Sequence, residues 1–443
     1  MHKPSVLVVG AGTWGTSTAL HLARRGYSSV TVLDRYPVPS PISAGNDVNK
    51  IIDLNRESGE DADERHVSRL LYDTVMRGWK EDVVFRDYCH ETGMIIAASS
   101  PEGIEHVRNE EGTDGPEWTE LKTKHDFQAA MPDGVLTGEF PGWRGWWKQA
   151  NSGAGWVHAR KAMQSAASAA SSLGVVFLSG EAGDVVELII EDSDVKGART
   201  RDGQRHRAEK VVLCAGANAA SLLDMQGQLL PKAWTLAHIR LSEEEIKLYK
   251  SLPVLFNCER GFFMEPDEDC RALKICDEHP GYCNWIMEDG GTEFKRDDGR
   301  RDEPFAKHQI PVEAEQRVRL FLRETMPQLA ERPFSFARIC WCADTPDRNF
   351  LIDRHPEYPS LTLGVGGSGH GYVYIPAIGS FIVDAVEGQL DARMQKQFRW
   401  RPETAVGRDW TALQGRYGPK GSCKVMDLHQ VREWTNIYSS SPL

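Results

Sequence analysis

With 443 residues, 40% of them hydrophobic and 26% charged, and a formal net charge of −12, the chain is longer than one ordinary core supports and reads as two domains or one with large insertions. No apolar run approaches the roughly 18 residues of a membrane span. The basic residues are scattered rather than gathered on one face, which excludes a nucleic-acid binder and leaves small molecules as the expected partners.

The chain opens on strand, glycine turn, helix and strand: "SVLVVG", "AGTWGTSTALHLARRG" and "SVTVLDR" over residues 5–35. "VLVVGAG" is short, runs straight into a glycine turn and carries no small-residue cleavage site, so it reads as a buried strand and not as a secretory leader. Ala19, Leu20, Leu22 and Ala23 share an apolar helix face that Gly26 ends. The proline-rich "RYPVPSPISAGNDVNK" cannot continue a regular element and is a loop, and a long loop in a compact domain usually has a task. Residues 62–110 read as helical, and 111–155 as connections rich in tryptophan and glycine.

"GWVHARKAMQSAASAASSLG" is a second helix, followed by the strands "VVFLSG", "DVVELIIED" and "VKGARTRDGQ" and then by "AEKVVLCAGANA", an apolar strand running into small residues. Residues 230–335 differ in texture, with the strands "AWTLAHIRLS" and "GFFMEPDED" and a charged stretch, "MEDGGTEFKRDDGRRDEP", that reads as an exposed loop. "LTLGVGGSGHGYVYIPAIGSFIVDAVEG" is a third strand–glycine passage. The fold expected is therefore mixed α/β. A Rossmann-like dinucleotide domain of residues 1–60, 150–230 and 335–390 joins a mixed-sheet substrate domain of residues 61–149, 231–334 and 391–443.

The run Gly10-Ala11-Gly12-Thr13-Trp14-Gly15 is G-x-G-x-x-G, a weak spacing made strong by its setting. It follows an aliphatic strand and opens a helix, and Asp34 closes the next strand roughly 20 residues on. Gly10 permits the tight turn, Gly12 lets backbone approach a pyrophosphate, and Gly15 lets helix and strand pack closely. The helix N-terminus offers N–H groups to phosphate, and Asp34 accepts from a ribose hydroxyl. The motif does not choose between NAD and FAD. "VVLCAGA", ending in small residues at Ala215 and Gly216, is the kind of later strand that passes near a flavin cofactor.

"ARICWCADTPDRNFLIDRHP", "GGSGHGY" and the N-terminal fingerprint together resemble the sarcosine-oxidase family of FAD enzymes. Within it, "PSPISAGNDVNKI", "LKICDEHPGY" and "WRPETAV" are most similar to the fungal fructosyl amino acid oxidases, or amadoriases, over essentially the whole chain. The resemblance implies oxidation of a fructosyl amine at its C–N bond, hydrolysis to glucosone and free amine, and return of oxygen as hydrogen peroxide. It also implies FAD held as an 8α thioether on a cysteine five residues before a Thr-Pro pair. Thr345 and Pro346 place that cysteine at Cys340, with Cys342 as the rival.

The resemblance assigns Lys274 to oxygen activation, because a fixed cation stabilises charge developing in a nearly dry pocket. Were the stretch extended, Lys274, Cys276 and Glu278 would share one face, and Glu278 is expected to meet the substrate's amine or sugar hydroxyls. Lys50 is placed near the flavin ring, with Ser43, Ala44 and Gly45 bringing backbone N–H groups to the cofactor. Arg35, Val185 and Asp344 join the cofactor contacts. At the pyrimidine end the backbone around Gly369, His370, Gly371 and Tyr372 is expected to face the flavin. Gly366 and Arg408 are expected at the substrate. Val373 stands where the family has a carboxylate-gripping lysine, so Arg401, Arg408 or another substrate orientation must compensate.

Two alternatives remain from the residues: an amine oxidase of the same fold acting on sarcosine, pipecolate or a D-amino acid, and a nicotinamide-dependent dehydrogenase or a non-catalytic nucleotide-binding module. The fourteen histidines show no HxH or HExxH spacing, so no metal is expected. Nine cysteines, an odd number, argue for a reducing compartment, and "SPL" at the C-terminus is a near miss to a peroxisomal address. A monomer in the cytoplasm or peroxisome is expected.

Overall fold

A computed structural model of the chain describes residues 3–110, 113, 115–284, 304–408 and 425–437. Most of the charged stretch and the C-terminal "SPL" lie outside these. In chain order, the elements that build the site are β1 (Val6–Val9), α1 (Thr13–Arg24), β2 (Val30–Leu33), α2 (Ala159–Ser172), β3 (Val176–Leu178), β4 (Lys210–Leu213), β5 (Leu230–Arg240), β6 (Gly261–Phe263), β7 (Ala272–Asp277), α3 (Val312–Thr325), β8 (Phe334–Asp344), β9 (Leu351–Arg354), β10 (Leu361–Val365) and α4 (Ile378–Glu387).

Six strands form the first sheet in the order β9-β10-β4-β1-β2-β3, parallel except for β9. The chain leaves this layer and returns to it three times. Both faces of β1 are buried, which is why it reads as an unbroken aliphatic run. Val6 and Val8 pack under α1, α2 and α4 through residues such as Leu20, Ala166 and Ile382. Leu7 and Val9 pack on the opposite side with Leu188 and Val195, from the antiparallel pair Val185–Glu191 and Asp194–Thr200. Each such fully buried valine or leucine contributes about 1.5–3 kcal/mol.

The second sheet is mixed and ten-stranded, with β5 paired antiparallel to β7 on one side and to β8 along most of its length. Alternation divides its centre into two faces. Ala237 and Ile239 of β5, Leu273 and Ile275 of β7 and Ala337 of β8 pack against α3 through Phe321 and Leu322. Leu236, His238, Lys274, Cys276, Arg338 and Cys340 therefore point the other way. That second face carries the site.

Residues 62–110 are not uniformly helical. The helix Ala62–Glu81 gives way to the strand Met94–Ala98, whose apolar run pairs with Val254–Asn257 and Arg144–Lys148 before the helix Pro101–Glu110. Pairing with strands distant in sequence overrides the local pattern. The tryptophan-rich connections likewise contain the strands Trp118–Leu121 and Arg144–Lys148. Among the described residues no helix is long and apolar enough to cross a membrane.

Candidate active site

The C-terminal ends of β1, β2, β4 and β10 open into a cavity of about 760 Å³ whose lining includes Val9, Leu33, Cys214 and Val365. Ligands of open α/β sheets bind in this crevice. Gly10, Gly12, Thr13 and Trp14 line it, as does Asp34. Gly10 sits at φ +102°, and a Cβ there would lie 2.5 Å from the Cys214 carbonyl oxygen. Gly15 does not line the cavity; a Cβ on it would come within 1.8 Å of the Gly10 carbonyl oxygen, so it is the close approach of helix to turn.

Asp34 accepts hydrogen bonds from the Ala11 N–H (2.7 Å) and the Tyr36 N–H (2.9 Å). Burial raises its pKa and those two donors oppose the rise. Beyond it, Arg35 (3.0 Å) and Arg201 (2.5 Å) both pair with Asp184, and all three line the cavity. A glycine turn without Cβ atoms, a helix N-terminus, an acid at the second strand's end and a cavity in the cofactor range of about 300–1,000 Å³ fit a dinucleotide such as FAD. Val185, Ala215, Gly216, Ser43, Ala44, Lys50, Gly366, Gly369, Gly371 and Tyr372 also line the cavity. Gly45 lies behind this wall, packed on Met163 and Thr13.

The loop after β2 rests on the second face of the mixed sheet and carries Asp47, a residue that sequence reasoning missed. Its buried carboxylate joins the two expected catalytic lysines: Oδ2 accepts from Lys274 Nζ at 2.6 Å and from Lys50 Nζ at 2.8 Å. Burial alone would raise the Asp47 pKa, but the ammonium groups of Lys274 and Lys50 and the Arg338 guanidinium outweigh it and hold the group far below the usual carboxylate range. Burial would likewise lower Lys50, and Asp47 reverses that, leaving it raised.

Lys274 is 2% exposed. It donates a second bond to the Asn49 carbonyl at 2.8 Å, and its ammonium lies 5.6 Å from the centre of the Phe262 ring. Arg338 pins the loop to β8 by donating to the carbonyls of Pro41 (2.9 Å) and Asn46 (2.6 Å). The lysine cluster is thus built from a loop and two strands that only the tertiary fold brings together.

On β8, Arg338, Cys340, Cys342 and Asp344 alternate onto one face. Cys342 lines the cavity, whereas Cys340 is buried beside it, packed with Leu236, Cys276 and Ala44 and 3.8 Å from an Arg338 nitrogen. Asp344 does not line the cavity and forms a fully buried ion pair with Lys232. Glu278 is the first residue past β7, half-buried and outside the cavity lining.

His370 is exposed, its N–H donates to the Gly367 carbonyl (2.9 Å) and its ring stacks on Phe350 (5.2 Å), so that N–H is already spent. Arg401 clamps Asp347 at 2.7 and 2.8 Å and donates to the Phe350 carbonyl at 3.0 Å. That buried role removes it as the substitute for a lysine at Val373. Arg408 is half-buried near the edge of the described residues and does not line the cavity.

Comparison with known proteins gives matches over nearly the whole chain. A family model described as FAD dependent oxidoreductase matches residues 5–385. Amadoriase I, a fructosyl amine:oxygen oxidoreductase from Aspergillus fumigatus, has a crystal structure 54% identical in sequence, with a TM-score of 0.92 and coverage of 99% of each chain. Amadoriase II from the same organism, a deglycating fructosamine oxidase solved in complex with FSA, is 53% identical with a TM-score of 0.92, covering 99% of this chain and 98% of that one. L-saccharopine oxidase of Schizosaccharomyces pombe is 26% identical over 416 residues, 90% of this chain and 93% of its own.

Proposed function

The chain belongs to the family of FAD-dependent oxidoreductases, and from that premise we propose that it is a deglycating oxidase of fructosyl amines. It oxidises the C–N bond of a fructosyl amino acid with dioxygen as acceptor, and water hydrolyses the imine. The products are glucosone, free amino acid and hydrogen peroxide. The observation that carries this reading is the match at 54% identity, across 99% of each chain, to a fructosyl amine oxidase. Peroxide formed from fructosyl-valine or fructosyl-lysine tests it; activity on sarcosine alone would remove it.

Bound FAD supplies the two-electron redox chemistry. The Gly10–Gly15 turn and the N-terminus of α1 would hold its pyrophosphate, and Asp34 its ribose. The 40–50 loop, pinned by Arg338, brings Ser43, Ala44 and Lys50 to the cavity wall, where they would meet the flavin. Lys274 spends two of its three N–H donors on Asp47 and Asn49, so its charge is fixed in place beside the cavity, where it stabilises negative charge developing on oxygen. Lys50, reaching the cavity from the same carboxylate, is assigned to the flavin ring.

Glu278 is assigned to the substrate's amine or sugar hydroxyls, with Gly366 and Arg408 as further contacts. A charge-assisted hydrogen bond contributes roughly 1.5–3 kcal/mol, so Glu278→Gln is expected to raise KM about 10-fold or more with the flavin spectrum unchanged. A KM that stays at the wild-type value would take Glu278 out of the binding site.

The covalent link is assigned to Cys340. Cys340→Ser should leave a yellow protein whose flavin is released by acid, while Cys342→Ser keeps the tether. The reverse result would move the thioether to Cys342. The enzyme is assigned as a monomer of the cytoplasm or peroxisome; among the described residues no cysteine is in a disulfide, which suits a reducing compartment.

A further inference from the structure

His238 lies on β5, 2% exposed, and neither of its ring nitrogens has a hydrogen-bond partner among the described residues. A neutral imidazole carries one donor and one acceptor, and native interiors rarely leave both unmet. The register of the mixed sheet sets His238 directly opposite Lys274, and such cross-strand neighbours have Cβ atoms about 4.5–5.5 Å apart on one face. A second unmet group belongs to the same surroundings. Asn49, whose carbonyl accepts from Lys274, donates its side-chain amide to the Glu265 carbonyl at 3.0 Å, yet its buried side-chain oxygen has no partner among the described residues. Among the described residues Lys274 finds acceptors for two of its three N–H groups.

The charges facing His238 come from four elements: Asp47 on the loop, Lys274 on β7, Arg338 on β8 and Arg160 on α2. Burial is the main influence on the ring; Asp47 opposes it, the three cations add to it, and the pKa falls to about 3. The imidazole therefore stays neutral across any working pH. The Phe336 ring, 5.1 Å away between centroids, closes its other side. A neutral donor–acceptor group enclosed beside an incompletely bonded ammonium is suited to hold a buried water, which makes about three hydrogen bonds to otherwise unmet polar groups.

We propose that His238 is a positioning residue for Lys274: it holds an internal water on the ammonium's third N–H, so that the cation is fixed from three sides at one point beside the cavity. Asp47 supplies one side, the Asn49 carbonyl the second and the His238-bound water the third. The inference rests on the oxidase reading for its kinetic consequence alone. The consequence is selective: a loosened ammonium slows the reduction of oxygen and leaves oxidation of the substrate as it was.

The direct test is a crystal structure of the flavin-loaded enzyme at a resolution that orders internal waters. The expected result is a water within about 3.2 Å of both Lys274 Nζ and a His238 ring nitrogen. Ring nitrogens bonded to protein groups, or no shared water, would overturn the proposal. Kinetically, His238→Leu is expected to slow reoxidation by air about 10-fold, the loss of one hydrogen bond to a charged group. Reduction by a fructosyl amine and cofactor absorbance should not change. His238→Gln, which keeps a donor and an acceptor, should retain most of the rate. Equal slowing of both half-reactions, in either variant, would make His238 a packing residue and sink the proposal. If the leucine variant does not fold, the glutamine variant and the crystallographic water decide. If no fructosyl amine reduces the enzyme, the functional reading fails while the shared water still stands or falls separately.

Discussion

Replacing Lys274 by Met is expected to slow reoxidation of the reduced enzyme by about 10²–10³-fold, the usual cost of removing one preorganised electrostatic partner from a developing anion, while reduction by substrate changes little. Methionine keeps most of the apolar stem of lysine and removes the ammonium together with its hydrogen bonds to Asp47 and the Asn49 carbonyl. The effect is large because the ammonium is buried and held on Asp47 and the Asn49 carbonyl, so that its charge is in place before the reaction begins. Rapid mixing separates the two half-reactions: anaerobic substrate for reduction, oxygenated buffer for reoxidation. Equal loss in both would demote Lys274 to a structural residue.

The second large effect is expected from Asp47→Asn. Breaking a buried ion pair on one side leaves uncompensated charge and costs roughly 3–5 kcal/mol. Here Lys50 and Lys274, with Arg338 close by, would share a site without an anion. The variant should melt well below the wild type at neutral pH. The pH dependence follows from the direction of the shift. Asp47 is held ionised far below the usual range in the folded chain, so its contribution is complete above the unfolded-state pKa of about 4 and is lost only as pH falls below it. The stability gap between wild type and variant should therefore be constant near neutrality and shrink in acid, as denaturant titrations at several pH values would show. A gap that persists undiminished into strong acid would mean that the stabilisation does not come from the ionised carboxylate.

Much of the cofactor end was legible because its determinants are local. An aliphatic strand, three spaced glycines and Asp34 lie within one stretch of chain, and the cavity at the ends of β1 and β2 is lined by most of that run. The lysine cluster is different. Lys274 and Asp47 are separated by 227 residues, and nothing in "SAGNDVNK" marks its aspartate as the counter-ion of a distant strand. Arg338 was equally hidden, since its partners are loop carbonyls that any sequence would supply.

Spacing could not separate Cys340 from Cys342 by orientation, because residues two apart on one strand face the same side. The expectation for the His370 N–H did not foresee that the turn itself consumes that donor on Gly367. Arg401 looked available because its acceptors, Asp347 and the Phe350 carbonyl, come from a different passage of the chain. Local motifs reveal a ligand's cradle; the charges that tune its chemistry are set by pairing across strands.

The account turns on a flavin that takes electrons from a sugar-bearing amine. The most direct measurement is the visible absorbance of the purified enzyme, first under anaerobic conditions with a fructosyl amino acid and then after air is admitted. The account predicts that the yellow colour bleaches on adding fructosyl-valine or fructosyl-lysine and returns with air as hydrogen peroxide forms. A flavin-loaded enzyme whose colour is unmoved by both compounds would contradict it.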